Sequence, residues 1–505
     1  MIEVGSSAVR MRISQMRRGV IETLDSLEYP VSLGHEVFNH GKISFESLRT
    51  LSSILTKFKS ALDGFGCKDV RVVSSTVMRE AENRSFVTDQ LKIHNDLNLE
   101  ILEYSEEKAL ICSEIIRLLT NEHKLDPQNA MIAYIGTGSI GLALHDGECI
   151  SDSVNIPIGS LKLHDTLRAV NRESDEIYSV IEEYLDIIIN RVAFPAADTQ
   201  NLILTGSDLS LVASVCNAEK SNDVYTLSSR KLRTAYKELR TMSYPSIARR
   251  YNISEENAEI LFTALSIYTC ILRLAGNPSK IICPDIDICS AITQHMLQPG
   301  LLKEYRTQMH KNALASARRI AAKYNCHSKH ADTVAGFAAE LFDKLKNFHG
   351  IDPSKKLLLE LAAALHSCGQ YVNVRNHSQC SFDLIKNMDI FGLTREQILE
   401  IAYISGYGEP NTYDSADTAF FSLSEEMRLE VSKLVAIFRL ANALDKSKRQ
   451  KLEITKIRVS DERLEITAAA KGNALLEKWA FEESAVFFKE VFGLSPELRL
   501  RSNLL

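Results

Sequence analysis

The sequence predicts an α/β fold with a duplicated domain, followed by an all-helical region and a small α+β part. Three observations support this prediction. Strand-like and helical segments alternate over residues 1–300, a strand–turn–strand unit occurs twice, and residues 301–450 show only helical spacing of apolar residues. The chain has 505 residues, too many for one ordinary hydrophobic core, so several domains are expected.

The repeated unit opens the chain and recurs about 130 residues later. Its first turn is Gly5-Ser6-Ser7 and its second is Gly136-Thr137-Gly138-Ser139. In this alignment Glu3 matches Tyr134. The four flanking strands are predicted at Ile2–Val4, Val9–Ser14, Met131–Ile135 and Leu142–Leu144. Two such units suggest similar halves with a cleft between them, although one pairing of this kind also arises by chance.

The remaining elements follow from the spacing of apolar residues. Further strands are predicted at Asp69–Ser74, Leu99–Leu102, Leu202–Leu204 and Lys280–Cys283, and helices at Phe45–Asp63, Glu106–Thr120 and over residues 229–276. A strand pair with its turn at Asp461-Glu462 and a helix at Ala474–Val491 close the chain. We therefore predict domains at residues 1–122, 123–300, 301–450 and 451–505.

Composition narrows the class of protein. The formal net charge of -6 argues against a general nucleic-acid-binding surface, while a local basic cleft for a polyanion stays possible. No run of about 18 apolar residues predicts a membrane span, and the N-terminus lacks the regions of a signal peptide. The ten cysteines have no paired spacing, which favours reduced thiols and a cytoplasmic location.

Both glycine- and hydroxyl-rich turns are candidate phosphate sites. A turn of this kind can direct several backbone N–H groups at one anion, and hydroxyls add further donors. Two facing turns could hold one phosphate chain. The alternative for either turn alone is an ordinary β-hairpin turn. Neither turn fits the Walker or the dinucleotide-binding pattern, because no Gly-Lys-Ser/Thr or GxGxxG is present there.

Read with their surroundings, the turns resemble those of a known family. Five segments match in order: Glu3–Arg10 (EVGSSAVR), Ser75–Asn83 (STVMREAEN), Leu102–Leu110 (LEYSEEKAL), Tyr134–Gly141 (YIGTGSIG) and Ile158–Leu163 (IGSLKL). Together they resemble the exopolyphosphatase/guanosine-pentaphosphatase (Ppx/GppA) family. That resemblance implies an actin/Hsp70/hexokinase-like (ribonuclease H-like) fold and release of the terminal phosphate from polyphosphate or guanosine pentaphosphate. We also expect a homodimer.

The resemblance assigns roles by position. Phosphate-facing residues would be Gly5, Ser6, Ser7, Gly136, Thr137, Gly138 and Ser139, with Arg10 as a further candidate. Arg79 would clamp the phosphate, Glu106 would be the catalytic carboxylate with Glu107 as the fallback, and Glu3 would help to hold Mg²⁺ or Mn²⁺. The alternatives are a helix-surface salt bridge for Arg79, a solvated strand end for Arg10, and a charged first helical turn for the two glutamates.

Several positions depart from the family pattern. Tyr134 and Gly141 stand where the family has Asp and Glu, Glu3 replaces an Asp, and Ile286-Asp287-Ile288 lacks the usual Arg. Tyrosine does not bind Mg²⁺ as a carboxylate does near neutral pH. The chain is therefore either a hydrolase with a weakened metal site, drawing on Glu3 with Asp152 or Asp208, or a polyphosphate or alarmone sensor. A small-molecule kinase is a third alternative, with a faint adenosine loop at Thr205–Ser207.

Residues 315–450 resemble the HD-type helical domain of longer family members. His330, His366 and His377 remain, whereas Ser367, Cys380 and Asn442 replace metal ligands of that superfamily. Three imidazoles could still bind Zn²⁺, but structural histidines are the favoured interpretation. We expect no second phosphodiesterase site. A basic cluster follows, formed by Lys446, Lys448, Arg449 and Lys451. It could line a channel for a polyanion or lie in solvent.

Overall fold

The structure is a computed structural model that describes residues 1–122, 129–170, 177–191, 194, 199, 201–410 and 418–502. It divides into two compact units, Met1–Met309 and His310–Leu505. The four-domain division made from the sequence stays a prediction, and its first boundary adjoins residues 123–128, which lie outside the described residues.

The first lobe of unit one is built on a five-stranded sheet with strand order β3-β2-β1-β4-β5. Its strands are β1 (Ile2–Val4), β2 (Ala8–Arg17), β3 (Val20–Pro30), β4 (Val72–Ser74) and β5 (Leu99–Ile101). Its helices are α1 (Leu33–His40), α2 (Phe45–Phe65), α3 (Thr76–Glu80), α4 (Arg84–Asn95) and α5 (Tyr104–Arg117), with a π-helical turn at Leu118–Glu122. Helix α2 buries one apolar face, from Leu48 to Leu62, against this sheet.

The second lobe is built on a seven-stranded sheet with strand order β10-β11-β12-β9-β6-β7-β8. Its strands are β6 (Ala130–Ile135), β7 (Ile140–His145), β8 (Ile150–Ile156), β9 (Asn201–Gly206), β10 (Glu219–Ser221), β11 (Val224–Ser228) and β12 (Lys280–Pro284). Its helices are α6 (Ser160–Val170), α7 (Ile177–Arg191), α8 (Leu209–Val215), α9 (Ser229–Leu239), α10 (Tyr244–Tyr251) and α11 (Glu255–Leu274). Helix α12 (Ile288–Leu297) returns to pack on α5 and β2 of the first lobe.

The two sheets share one pattern, which confirms the duplicated α/β fold. In each lobe a strand pairs antiparallel with the next strand of a meander and parallel with a later strand: β1 with β2 and β4, β6 with β7 and β9. The registers also agree, since Glu3 pairs with Arg10 and Tyr134 pairs with Gly141. The alignment of Glu3 with Tyr134 made from the sequence is therefore a structural equivalence.

Helix α11 is long and apolar enough to cross a membrane by length and composition, and 67% of its apolar window is buried inside the protein. Its side chains belong to the hydrophobic core of the second lobe, where Leu261, Leu265 and Tyr268 are fully buried. Packing against α6, α9 and α10 accounts for its apolar character.

Unit two combines helices with a three-stranded sheet of order β13-β14-β15. Its helices are α13 (Pro299–Lys323), which contains the division between the units, α14 (Ser328–Lys344), α15 (Lys346–His349), α16 (Lys356–Leu365), α17 (His377–Lys386), α18 (Arg395–Gly406), α19 (Thr418–Phe421), α20 (Glu425–Ala443) and α21 (Leu475–Phe492). Its strands are β13 (Leu452–Val459), β14 (Arg463–Ala470) and β15 (Ser495–Ser502), and short 3₁₀ turns lie at Pro353–Lys355 and Cys368–Tyr371. One apolar core joins its helices and its sheet.

Candidate functional site

The two predicted turns face each other across the boundary between the lobes. The Thr137 hydroxyl donates a hydrogen bond of 3.0 Å to the Ser6 hydroxyl. The turns are also built alike, because the Gly5 amide donates to the Ala8 carbonyl at 2.9 Å and the Gly136 amide donates to the Ser139 carbonyl at 2.8 Å. The facing arrangement that the duplication predicts is therefore present.

Four amides of the two turns are candidate donors to an anion. In the part of the chain that the structure describes, the backbone amides of Ser6, Ser7, Thr137 and Gly138 donate to no other backbone group. The neutral Ser6–Thr137 hydrogen bond is worth about 1 kcal/mol net, whereas a hydrogen bond to a charged group is worth about 1.5–3 kcal/mol. A phosphate oxygen between the turns could therefore replace that hydroxyl pair.

Two glycines let the second turn pack closely. A Cβ on Gly138 would overlap Cγ2 of Thr76 and stand 2.9 Å from Cζ of Phe38. A Cβ on Gly159, just before α6, would overlap the Gly136 carbonyl oxygen. Any larger residue at either position would push the turn away from its neighbours.

Glu107 is a buried carboxylate that contacts both lobes. It is 5% exposed, and its Oε2 accepts a hydrogen bond of 3.1 Å from Nη2 of Arg79 while its Oε1 accepts one of 3.3 Å from the Tyr134 hydroxyl. Arg79 also donates to the Leu102 carbonyl and to Oγ1 of Thr76. The guanidinium predicted to clamp phosphate is thus held by protein groups, chiefly by Glu107.

Glu106, the predicted catalytic carboxylate, lies at the start of α5 and caps that helix. Its Oε2 accepts a hydrogen bond of 3.0 Å from the Glu103 amide, and the Glu103 side chain completes the capping box. These are the contacts of an ordinary charged first helical turn, the alternative interpretation of the sequence. The neighbouring Glu107 contacts the second lobe instead, through Tyr134.

Glu3 and Arg10 lie on paired strands at the wall of a polar cavity of about 600 Å³. Nη1 of Arg10 is 3.6 Å from Oε2 of Glu3, and its Nε donates to Glu28 at 3.2 Å. Burial raises the pKa of Glu3 to about 7, an effect that the nearby Arg10 charge opposes. Glu3 therefore gains or loses a proton near neutral pH.

Both arginines at this cavity are engaged by carboxylates. Arg12 forms a two-pronged pair with Asp287, at 3.3 and 2.8 Å, and Asp287 caps helix α12. Arg10 is paired with Glu28 and Glu3. The cavity wall also carries Asp223 and Asp285, so its carboxylates outnumber its arginines. Phosphate binding is accordingly expected at the turns rather than at this wall.

In the second lobe, other groups fill the space that a metal-binding carboxylate at position 141 would need. A Cβ on Gly141 would stand 3.3 Å from Cδ of Lys108, a buried lysine whose Nζ donates to Ser153 at 3.2 Å. Asp208 accepts a hydrogen bond of 2.5 Å from Ser160, and burial raises its pKa to about 6. Among the described residues, no group of three or more His, Cys, Asp and Glu side chains could hold a metal ion.

In unit two, His330 and His366, two of the three predicted histidines, pack against each other. Nδ1 of His330 lies 2.9 Å from Oδ2 of Asp445, and its ring centre is 5.3 Å from that of His366. Burial lowers the pKa of His366 to about 3, and His330 adds to that effect. His377 instead pairs with Glu409 at 3.5 Å. The structural interpretation of these histidines fits these contacts.

The basic cluster of unit two is partly paired. Lys446 donates to Glu409 at 3.1 Å, and Lys451 donates to the Asn473 carbonyl at 2.9 Å while lying 3.6 Å from Glu477. Its use as a channel lining stays a prediction.

The pKa of Glu3 leads to a test by pH. Its carboxyl group has an ordinary pKa of 4.5 and a folded pKa of about 7, so its contribution to stability is complete below about 4.5 and is lost as pH rises through about 7. Relative to wild type, Glu3→Gln should therefore gain about 2 kcal/mol in free energy of unfolding between pH 5 and pH 8. Urea denaturation followed by circular dichroism measures this difference.

A control separates the two units in that experiment. Trp479 is the chain's single tryptophan and lies in α21, so its fluorescence follows unit two alone. Equal pH dependence of the Glu3→Gln variant and the wild type in circular dichroism would contradict the raised pKa.

Comparisons with known proteins agree with this geometry. A sequence profile of the Ppx/GppA phosphatase family matches residues 12–284, and a profile of Ppx/GppA phosphatase domain III matches residues 314–483. The chain is 20% identical over 493 residues to a guanosine-5'-triphosphate,3'-diphosphate pyrophosphatase of Vibrio vulnificus, covering 94% of this chain and 90% of that one. It is 20% identical over 419 residues to the protein of that name in Vibrio parahaemolyticus, covering 80% and 79%.

Solved structures show the same fold. An exopolyphosphatase from Cytophaga hutchinsonii superposes with a TM-score of 0.53 at 18% identity, covering 59% of this chain and 97% of that one. The Ppx/GppA family member from Aquifex aeolicus superposes with a TM-score of 0.50 at 18% identity, covering 60% and 97%. The actin-like fold inferred from the sequence motifs is confirmed.

Proposed function

Because this chain belongs to the Ppx/GppA phosphatase family, we propose that it binds the terminal phosphates of polyphosphate or guanosine pentaphosphate and hydrolyses the outer phosphoanhydride bond slowly. The observation that carries the proposal is the pair of facing turns, Gly5–Ser7 and Gly136–Ser139, with Glu107 beside them. The relatives named guanosine-5'-triphosphate,3'-diphosphate pyrophosphatase support this class of ligand.

The two turns bind the phosphate. Their backbone amides, on both sides of the cleft, neutralise the phosphate oxygens, and the Ser6, Ser7 and Thr137 hydroxyls add donors. Such donors stabilise the charge that spreads over the equatorial oxygens in phosphoryl transfer.

Glu107 acts as the base that orients and deprotonates water. The orientation of its carboxylate is fixed, because Arg79 donates a hydrogen bond to one oxygen and Tyr134 donates one to the other. The same two hydrogen bonds occupy both carboxylate oxygens, so one of them must break before Glu107 can accept a hydrogen bond from water. This requirement accounts for slow turnover. Arg79 is then a positioning residue, and a direct phosphate clamp would require it to leave Glu107.

A bound Mg²⁺ or Mn²⁺ fits the residues of this cleft poorly. The hydroxyl of Tyr134 is directed at Glu107 and Lys108 fills the space beside Gly141, so two carboxylates are missing where the family pattern has them. Among the predicted metal-binding residues, Glu3 lies at the wall of the polar cavity, and its pKa of about 7 leaves it partly protonated at neutral pH. We therefore assign no step to either metal.

A second function, ligand sensing without turnover, is favoured by one observation. The Tyr134 hydroxyl and the Arg79 guanidinium together occupy both oxygens of Glu107. Phosphate release from polyphosphate and from guanosine pentaphosphate, measured beside calorimetric binding on the same sample, separates the two functions. Binding with slow release supports the hydrolase, binding without release supports the sensor, and absence of binding contradicts both.

A glycine substitution tests the binding site itself. Gly138→Ala should weaken binding of both ligands by about tenfold or more, because the added Cβ would overlap the Thr76 side chain and displace the turn amides. Gly64→Ala is the matched control, since a Cβ at that position in α2 meets nothing within 4 Å. Equal binding by the two variants, measured calorimetrically, would place the ligand elsewhere.

A further inference from the structure

Two helices stand directly behind the turns. The first is α1, whose Gly34 amide donates to the Ser6 carbonyl at 2.8 Å. The second is α6, whose Lys162 amide donates to the Thr137 carbonyl at 3.0 Å. Each helix is therefore tied to one turn, and the distance between the helices sets the distance between the turns.

A histidine–aspartate pair joins these two helices. Nδ1 of His35 on α1 lies 2.7 Å from Oδ2 of Asp165 on α6, and Asn39 on α1 donates to the same oxygen at 3.3 Å. The His35 side chain is 32% exposed and that of Asp165 is 4% exposed. The pair thus links the first lobe to the second, one residue beyond Gly34 and three beyond Lys162.

Further charged groups face the pair from α6 and α11. Oδ1 of Asp165 lies 2.9 Å from Nδ1 of His164, whose Nε2 lies 2.7 Å from Glu259. Nε2 of His35 lies 3.5 Å from Glu256. Asp165 is thus fixed by His164 on its own helix and presents its other oxygen to His35. The surroundings of His35 are acidic, and they favour its cationic form.

We propose that His35 and Asp165 form a positioning pair that holds α1 against α6, and so holds the two phosphate turns at their working separation most firmly when His35 is protonated. This role deepens the proposed function and rests on it, because it concerns the same two turns. Among the described residues, neither side chain forms a hydrogen bond or an ion pair with the turns, so each acts through the helix that carries it.

The expected pH dependence follows from the direction of each shift. The hydrogen bond to Asp165 raises the pKa of His35, and this outweighs the lowering caused by partial burial. Burial alone would raise the pKa of Asp165, but the hydrogen bonds from His164 and His35 outweigh it and lower this pKa to about 2. Asp165 therefore stays charged, while the link weakens as pH rises through the raised pKa of His35.

Hydrogen exchange tests the link without requiring turnover. In wild type, peptides covering residues 31–40 and 158–167 should exchange more slowly at about pH 6 than at about pH 8.5, after correction for intrinsic rates. Asp165→Asn should remove that difference and speed exchange at the lower pH about tenfold. His35→Gln is the milder variant, to be used where Asp165→Asn folds poorly. His94→Gln is the control, because His94 lies exposed on α4 and pairs only with Gln90 among the described residues.

A binding measurement with inorganic tripolyphosphate tests the positioning role. Asp165→Asn and His35→Gln should bind it about tenfold more weakly than wild type at about pH 6, with the ratio shrinking at about pH 8.5, and His94→Gln should match wild type. Altered exchange with unaltered binding would overturn the positioning role, and unaltered exchange would overturn the link itself. Wild-type protein that binds no tripolyphosphate would overturn the proposed function instead, and exchange would then decide the link alone.

Discussion

Replacing Glu107 with glutamine should lower the rate of phosphate release by about a hundredfold or more, since the variant keeps the shape of the side chain and removes the base. Ligand affinity should change little, because the turn amides hold the phosphate. The introduced side-chain amide carries no charge to offset the buried Arg79 guanidinium, so a loss of about 3 kcal/mol or more in the free energy of unfolding is also expected. Steady-state phosphate release and calorimetric binding on the same variant measure both effects.

Glu106→Gln is the matched control for this prediction. Glu106 caps α5 through the Glu103 amide, so its replacement should leave the rate within a few-fold of wild type and lower the free energy of unfolding by about 1 kcal/mol at most. A hundredfold loss of rate in Glu106→Gln with none in Glu107→Gln would return the catalytic role to Glu106.

Restoring the missing carboxylates should raise metal-dependent turnover. Tyr134→Asp removes the hydroxyl that is bonded to Glu107 and places a carboxylate opposite Glu3, its structural equivalent in the first lobe. Gly141→Glu needs room, so it is combined with Lys108→Ala, because Cδ of Lys108 lies 3.3 Å from the new Cβ. A bound metal supplies several kcal/mol of charge stabilisation, so Mg²⁺-dependent phosphate release should rise by at least about tenfold.

Tyr134→Phe separates the two effects in that variant. It frees Oε1 of Glu107 without adding a metal ligand, so any gain should be independent of Mg²⁺. If the carboxylate variant folds, binds ligand and shows no gain with Mg²⁺ or Mn²⁺, then missing metal ligands do not limit the rate.

Local patterns in the sequence predict most of the elements of the fold. The bounds predicted for the strand Ile2–Val4 agree with those observed. The helix predicted at Phe45–Asp63 ends two residues later, at Phe65. The strand predicted at Asp69–Ser74 is limited to Val72–Ser74, the part that pairs with β1. Strand β3 was missed because it lies at a sheet edge and exposes most of its side chains, so it carries little apolar alternation.

The site is harder to predict because it depends on side-chain direction and on distant contacts. Glu106 and Glu107 are adjacent, but successive helical residues point about 100° apart, and the sequence does not show which one faces the cleft. Lys108, buried beside Gly141, was not identified, although a lysine within an apolar helix segment was an available signal. The pairs His35–Asp165 and Arg12–Asp287 join residues far apart in the chain, and only the fold brings them together.

A crystal structure of the Glu107→Gln variant with inorganic tripolyphosphate would test the central claim most directly. The terminal phosphate should lie between the two turns, within hydrogen-bond distance of the Ser7 and Gly138 amides, with the Thr137 hydroxyl moved from Ser6 to a phosphate oxygen. The claim would be contradicted by a phosphate chain bound in unit two. It would also be contradicted by a phosphate chain in the polar cavity beside Asp287, with the turns still joined by the Ser6–Thr137 hydrogen bond.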